Sequence, residues 1–151
     1  MSSRLEQLYQ ETILDHNKNP RFFGQPEEST HKAHGKNPLC GDDYWVYLDI
    51  KDGIITDVHF NGSGCAISKS SASMMAESIR GKSLDEVVSK KEAFLKLLTE
   101  DGSLQDTMKG TLGKLIVFEG VKKYPARVKC AALSWRALEA ALDGADQVST
   151  E

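Results

Sequence analysis

Three cysteines and one aspartate are the feature that most constrains the fold of this chain. Cys40 lies in the stretch Asn-Pro-Leu-Cys-Gly-Asp at 37–42, which ends in Asp42. Cys65 follows Gly-Ser-Gly, and Cys130 follows Arg-Val-Lys. The residues after Cys65 and Cys130 are typical of a helix start, whereas Cys40 lies in a Gly/Pro turn ahead of a strand. Because zinc accepts thiolate and carboxylate ligands in one tetrahedral shell, the pattern predicts a four-coordinate site that folding assembles.

Length, charge and cysteine number set the broad class. The chain has 151 residues, of which 40% are hydrophobic, so we expect one domain over residues 1–144 and a disordered tail over residues 145–151. The net charge of −3 gives no electrostatic basis for binding nucleic acid or a membrane surface. An odd number of cysteines without a C-x-x-C pair argues against a secreted disulfide framework. Without an apolar leader or a segment of transmembrane length, we expect a cytoplasmic protein.

The clearest secondary-structure signal is a β-hairpin between the first two cysteines. Residues 44–50 alternate between apolar and polar faces, Lys-Asp-Gly at 51–53 predicts a turn, and residues 54–60 predict the return strand. The hairpin would bring Cys40 and Cys65 to the same end of a sheet. This geometry is the main structural reason to place both residues in one site.

Most of the other patterns predict helices. Residues 21–38 and 102–113 lack a clear period and predict a loop and a surface excursion. The predicted helices run from Ser3 to about His16, from 66 to 80 with Gly81 closing the helix, over two short segments that begin at Ser83 and Ser89, and from near Arg127 to 142.

Two histidines in the predicted loop, His31 and His34, have a spacing compatible with metal binding. No further ligand is near them in sequence, so we interpret them as a solvated pair. His59 alternates with apolar neighbours in the return strand, which predicts a surface position.

The charge of the predicted site requires compensation, because three thiolates and a carboxylate outweigh one Zn²⁺ ion. Helix N-termini at Cys65 and Cys130, with Arg127 and Lys129 nearby, are the expected sources. Asp42 offers a harder oxygen than a fourth thiolate, so it binds less firmly and the site can open. The alternative is that the three cysteines are unrelated buried residues.

Taken together, the motifs resemble a known family. Cys-Gly-Asp at 40–42, Gly-x-Gly before Cys65, Arg-Val-Lys before Cys130 and Asp-His-x-Lys-Asn-Pro at 15–20 are similar to those of the IscU/NifU-like iron–sulfur cluster assembly proteins. The resemblance runs from Leu8 to about Leu142. It implies an α+β fold with a small antiparallel β-sheet of about three strands, covered on one face by helices. The third strand would come from the loop before Cys40.

Within this family the chain resembles the SufU branch. Scaffold-type members carry histidine where Lys129 stands, and they carry Leu-Pro-Pro-Val-Lys where this chain has Tyr-Pro-Ala-Arg-Val-Lys at 124–129. The excursion at 102–113 is similar to the insertion of the SufU branch. The branch implies a zinc-dependent sulfurtransferase, or sulfur carrier, that activates a SufS-type cysteine desulfurase and passes persulfide sulfur toward a SufBCD-type assembly complex.

The resemblance also implies roles for individual residues. Cys40, Asp42, Cys65 and Cys130 would be the zinc ligands, Cys40 would accept the persulfide sulfur, and Arg127 would face the partner. In the family mechanism the desulfurase supplies a histidine to the zinc ion, which frees Cys40 for attack.

Two other functions fit parts of the pattern. A scaffold would assemble a [2Fe–2S] cluster on the same cysteines, but Lys129 in place of histidine leaves it one ligand short. A zinc hydrolase or deaminase would need a glutamate base in an H-x-E…P-C-x-x-C pattern, which the sequence lacks.

Overall fold

A four-stranded β-sheet packed against helices forms the frame of the computed structural model, which describes residues 3–99, 110–144 and 147–149. The strands occur in the order β3-β2-β1-β4. Neighbouring strands β1, β2 and β3 are antiparallel, and β4 runs parallel to β1. The four strands are β1 (His31–Asn37), β2 (Asp42–Lys51), β3 (Ile54–Ser63) and β4 (Gln147–Ser149).

In the part of the chain that the structure describes, α-helices and a 3₁₀ helix accompany the sheet, and residues 19–30 form the connection between α1 and β1. The helix α4 packs on β1 and β2, and α2 contacts α1, α4 and β3. None of the helices in the described ranges has both the length and the hydrophobicity that a membrane crossing requires. The helices are α1 (Ser3–Lys18), α2 (Ala66–Ile79), α3 (Leu84–Thr99), a 3₁₀ helix (Gly113–Lys123) and α4 (Pro125–Leu142).

The predicted hairpin is confirmed. In β2, Tyr44, Val46 and Leu48 are buried in the core, while Trp45 is partly exposed on the opposite face. The register places Val46 opposite Phe60, and the antiparallel α+β architecture agrees with the predicted fold class. Apolar side chains on one face of the pleat therefore fix the register, as period-two alternation requires.

Strand β1 lies within the region that was predicted to be a loop, as the family resemblance required. Its core-facing residues are Ala33, Gly35 and Asn37, so the strand carries almost no hydrophobic signal. The interpretation of His31 and His34 as a solvated loop pair is therefore wrong. Both lie on β1, and the His34 ring stacks on Trp45 with the ring centroids 4.7 Å apart.

The predicted disordered tail is wrong for its middle residues. Gln147–Ser149 form β4 and pair with residues 34–36 of β1. The remaining tail residues, 145–146 and 150–151, lie outside the described residues. Strand β4 is therefore a fourth strand, which extends the expected three-stranded sheet at its β1 edge.

Two helix predictions also need correction. A single helix, α3, replaces the two short helices; Ser83 caps it by accepting the backbone N–H of Glu86 at 3.3 Å, and Ser89 lies inside the helix. The last helix begins at Pro125 rather than near Arg127, because proline at the first helical position fixes a suitable φ angle. Most of the predicted excursion at 102–113 lies outside the described residues.

Trp135 of α4 lies in the core where it contacts both α2 and α3. Its ring stacks on Phe94 at 4.6 Å between ring centroids, and its Nε1 donates to Ser71 Oγ at 3.2 Å. Ser71 in turn donates to the backbone carbonyl of Ala131 at 2.6 Å. The small serines of α2 therefore let α4 approach closely, and this contact positions Cys130 relative to the start of α2.

Gly35 makes the equivalent close contact between β1 and α4. A Cβ atom at this position would lie 3.1 Å from Leu133 Cδ1 and 3.3 Å from Ala137 Cβ. We expect Gly35→Val to lower the free energy of unfolding by about 1–3 kcal/mol through overpacking. Denaturant unfolding would measure the change.

The control for this variant is Gly110→Val, because a Cβ atom at Gly110 has no neighbour within 4 Å. We expect its free energy of unfolding to stay within about 0.5 kcal/mol of the wild type. Equal effects of the two variants would show that the contact between Gly35 and α4 is not tight.

Candidate metal centre

The candidate site lies where the β1–β2 turn meets the start of α2 and the second turn of α4. The possible ligand atoms of Cys40, Asp42 and Cys130 all lie within 4.8 Å of one another. Cys65 is not part of this group of three, although its backbone contacts Asp42. His31 and His34 also lie outside the group.

Asp42 is the buried centre of the site, with 1% of its surface exposed. Its Oδ1 accepts the backbone N–H of Cys65 at 2.9 Å, and its Oδ2 accepts an N–H from the Asn37 side chain at 3.4 Å. A buried carboxylate requires such partners to offset its loss of hydration. The two bonds also fix its direction relative to both β1 and α2.

Cys65 is the N-cap residue of α2, which confirms the predicted helix start. Its Sγ accepts the backbone N–H of Ser68 at 3.4 Å, and the Ser68 hydroxyl lies 3.6 Å from the same sulfur. The sulfur therefore takes the place at the N-cap that a side-chain oxygen usually occupies, and it satisfies one of the free N–H groups at the helix start. The Cys65 side chain is nonetheless exposed at one side.

Cys130 differs from the sequence expectation, because it lies in the second turn of α4 and not at the helix start. It is buried, with 4% of its surface exposed. Burial raises the pKa of its thiol well above the usual range, and hydrogen bonding to Asp42 and the charge of Cys65 add to the shift. Without a cation this sulfur therefore keeps its proton, which a bound metal would replace.

Cys40 is exposed on the turn between β1 and β2. The Asn37 carbonyl accepts the backbone N–H groups of Cys40 at 3.2 Å and Gly41 at 2.9 Å. Gly41 has a φ angle of +75°, a conformation that glycine adopts without strain. Next to Cys40, Leu39 is 71% exposed. The turn therefore presents Cys40 to solvent at the edge of a buried carboxylate.

The glycine before Cys65 allows the chain to pass close to the site. A Cβ atom at Gly64 would lie 2.5 Å from both Asp42 Oδ1 and Ser68 Oγ, and 2.9 Å from Tyr44 Cε2. A larger residue would therefore push apart the groups that surround the site. The Gly-Ser-Gly stretch at 62–64 therefore lets the backbone approach the candidate ligands.

Two polar residues of the site were not predicted from the sequence. Asn37 is fully buried and places its side-chain nitrogen 3.7 Å from Cys130 Sγ. Tyr44 is also fully buried, and burial raises its pKa to about 12; the nearby Ser68 side chain offsets part of the shift, and the charge of Asp42 adds to it. The sequence signal that could have identified Tyr44 is its position two residues after Asp42, on the core-facing side of β2.

Arg127 lies beside the site rather than among the candidate ligands. It is exposed in the first turn of α4, and its guanidinium lies 4.5 Å from the centre of the Tyr124 ring. Both residues line a cavity of about 240 Å³ between α1, the 3₁₀ helix and α4. Burial raises the pKa of Tyr9 in this cavity, and the charge of Arg127 offsets part of the shift.

The donor set fits a zinc ion. Cys40, Cys130 and Asp42 bring two sulfurs and one carboxylate oxygen together, with the Cys65 sulfur at the adjacent helix start, and soft thiolates with a single oxygen suit zinc better than they suit magnesium or calcium. The buried amide of Asn37 and the helix start at Cys65 supply hydrogen-bond donors to the ligands. Such outer contacts orient the ligands of protein metal sites.

Comparisons with known proteins agree with this geometry. Residues 8–131 match the family model of the NifU-like N-terminal domain. The chain is 38% identical over 138 residues to the zinc-dependent sulfurtransferase SufU of Bacillus subtilis (strain 168), which covers 91% of each protein. It is 39% identical over 135 residues to the iron–sulfur cluster assembly scaffold protein IscU of Thermotoga maritima, which covers 89% of this chain and 92% of the relative.

A solved structure shares the whole fold. The crystal structure of a putative iron–sulfur cluster assembly scaffold protein for the SUF system, from Fervidobacterium islandicum AW-1, superimposes with a TM-score of 0.82 at 38% identity. The match covers 91% of this chain and 98% of that one. The family resemblance seen in the motifs is therefore confirmed, and the chain belongs to the IscU/SufU family of NifU-like N-terminal domains.

Proposed function

We propose that this chain is a zinc-dependent sulfurtransferase of iron–sulfur cluster assembly. It accepts persulfide sulfur at Cys40 from a SufS-type cysteine desulfurase and delivers it to a SufBCD-type complex. The observation that carries the proposal is the contrast between Cys40, exposed on a turn, and Cys130, buried in a helix, around one carboxylate. The similarity to SufU of Bacillus subtilis supports it.

Cys40, Asp42, Cys65 and Cys130 would hold the zinc ion. Bound zinc would supply Lewis acidity that keeps the cysteines deprotonated near neutral pH. Cys65 and Cys130 belong to the helices α2 and α4, so their backbones cannot move without disturbing core packing. The turn at Cys40 can move without breaking a helix or strand.

Sulfur transfer is a thiol–persulfide exchange at the Cys40 sulfur. The Cys40 thiolate attacks the terminal sulfur of the persulfide on the desulfurase, a new S–S bond forms, and the S–S bond of the donor breaks. The donor cysteine leaves as a thiolate and Cys40 carries the persulfide, so no external oxidant or reductant is required. Leu39 beside Cys40 is exposed, and Arg127, exposed in the first turn of α4, is the proposed partner-facing residue.

The first prediction concerns metal content. We expect the purified protein to hold close to one zinc ion per chain, and Cys65→Ser and Cys130→Ser to hold less than one. A strong chelator should lower the melting temperature, since zinc binding by a site that folding assembles contributes on the order of 10 kcal/mol to folding. Elemental analysis and thermal unfolding measure both effects.

A matched pair of carboxylates provides the control for metal content. Asp42→Asn should weaken zinc binding, whereas Asp43→Asn should leave it unchanged, because Asp43 is about half exposed and contacts His34 instead. Full zinc occupancy in both cysteine variants would remove these residues from the site.

The second prediction concerns the acceptor. After incubation with a cysteine desulfurase and cysteine, we expect mass spectrometry under non-reducing conditions to find the added sulfur on Cys40. Only Cys40 combines an exposed side chain with a movable turn, so Cys40→Ala should abolish stimulation of the desulfurase even where some zinc remains. Added sulfur on Cys65 or Cys130, or stimulation by Cys40→Ala, would contradict the assignment.

The third prediction separates the transferase from a scaffold, the alternative that the IscU relative favours. A protonated lysine cannot ligate a metal, so we expect no stable visible absorption from a [2Fe–2S] cluster after anaerobic reconstitution with iron and sulfide. Lys129→His restores the ligand type of the scaffolds and should increase cluster retention on a desalting column. A stoichiometric, stable cluster on the wild-type chain would identify a scaffold instead.

A further inference from the structure

Tyr44 has a buried hydroxyl that the packing of the core does not use. The residue is fully buried on β2, and its hydroxyl makes no hydrogen bond of normal geometry to any residue that the structure describes, although Ser68 lies near enough to lower its pKa. A buried hydroxyl without a partner destabilises a fold, and phenylalanine would fill the same space without this cost. The ring alone accounts for the aromatic contact with Phe60, at 5.9 Å between ring centroids.

The hydroxyl end of the ring lies at the metal centre. The Cε2 edge of Tyr44, Asp42 Oδ1 and Ser68 Oγ meet above the α-carbon of Gly64, where one Cβ atom would touch all three. Ser68 also contacts the sulfur of Cys65. Burial raises the pKa of the Tyr44 hydroxyl, Ser68 offsets part of the shift, and the charge of Asp42 adds to it.

The candidate ligands need more hydrogen-bond donors to offset their negative charge than the sequence pattern predicted. Cys130 lies inside α4, so it lacks the helix N-terminus that was expected to compensate its charge. Asn37 is the donor identified near its sulfur, at 3.7 Å. Asp42 already accepts one N–H on each oxygen. A metal-loaded site with three thiolates would therefore have unmet acceptor capacity beside an unused hydroxyl donor.

We propose that Tyr44 is a positioning residue of the metal centre, whose hydroxyl donates a hydrogen bond to the ligand shell once the site holds its ion. The inference rests on the proposed function for the presence of zinc. The hydroxyl is a neutral donor, so it reduces the excess negative charge of the shell without placing a cation in the core. The unpaired hydroxyl then destabilises only the metal-free protein.

The test compares Tyr44→Phe with Tyr47→Phe in the full chain. Tyr47 is also buried, but its side chain lies on the opposite face of β2. We expect Tyr44→Phe to bind zinc about 10-fold more weakly in competition with a chelator, within the range for loss of an outer contact. Its metal-free form should melt about 2–4 °C higher than the metal-free wild type. Tyr47→Phe should neither weaken zinc binding nor raise the melting temperature of the metal-free protein in this way.

Cobalt provides a readout that packing alone would not change. In the chain loaded with Co²⁺, a hydrogen bond to the ligand shell lowers the energy of the sulfur electrons. Its loss in Tyr44→Phe should shift the thiolate-to-cobalt charge-transfer band to lower energy, while Tyr47→Phe keeps the wild-type band.

The outcomes distinguish this inference from the proposed function. A wild-type chain that binds no zinc would overturn both. A wild-type chain that binds zinc, with unchanged affinity in Tyr44→Phe, would overturn the role of Tyr44 alone. Weaker binding together with a lower metal-free melting temperature and an unchanged cobalt band would assign Tyr44 to core packing, and would also overturn its role as a donor.

Discussion

The buried carboxylate of Asp42 is the interaction on which the rest of the site depends. Its two oxygens accept hydrogen bonds from Asn37 on β1 and from the backbone of Cys65 at the start of α2. A carboxylate removed from water is stable only with such partners or a cation. The same contacts therefore hold the sheet to the helix at the candidate metal centre. Removing the carboxylate would affect both the local fold and the site.

The three cysteines around this carboxylate differ in how firmly the fold holds them. Cys130 is a buried residue of α4, and Cys65 is the N-cap of α2. Cys40 lies on a turn, and its backbone N–H donates to the carbonyl of Asn37. A site with three equally fixed sulfurs would suit a structural ion. In the proposed function, one sulfur on an exposed turn beside two sulfurs held at helices would suit transfer, because the reacting sulfur would have to reach a partner while the others retain the metal.

The sequence predicted those parts of the fold in which each residue carries its own signal. The hairpin was predictable because Tyr44, Val46 and Leu48 recur at every second position ahead of a Lys-Asp-Gly turn, and the α2 start was predictable because glycines precede Cys65. Strand β1 was not predictable from its pattern, since Gly35 and Asn37 face the core without hydrophobic side chains. Strand β4 was not predictable either, because it depends on pairing with a strand more than 100 residues earlier. The four candidate ligands came from the motifs. The motifs did not reveal the buried hydroxyl of Tyr44, because alternation predicts which face of the strand a residue occupies and not which polar groups lie beside it.

The hydrogen-bond donors of the site are distributed unevenly, and this bears on reactivity. Asn37 serves Asp42 and Cys130, and Ser68 serves Cys65, whereas the Cys40 turn is anchored through backbone groups. Donors directed at a ligand orient it, as outer contacts do at protein metal sites. The buried polar groups therefore constrain Asp42, Cys65 and Cys130, whereas Cys40 meets solvent on a turn that backbone hydrogen bonds form. In the proposed function, this difference is what would leave Cys40 as the cysteine able to meet a partner, while the other ligands keep their positions.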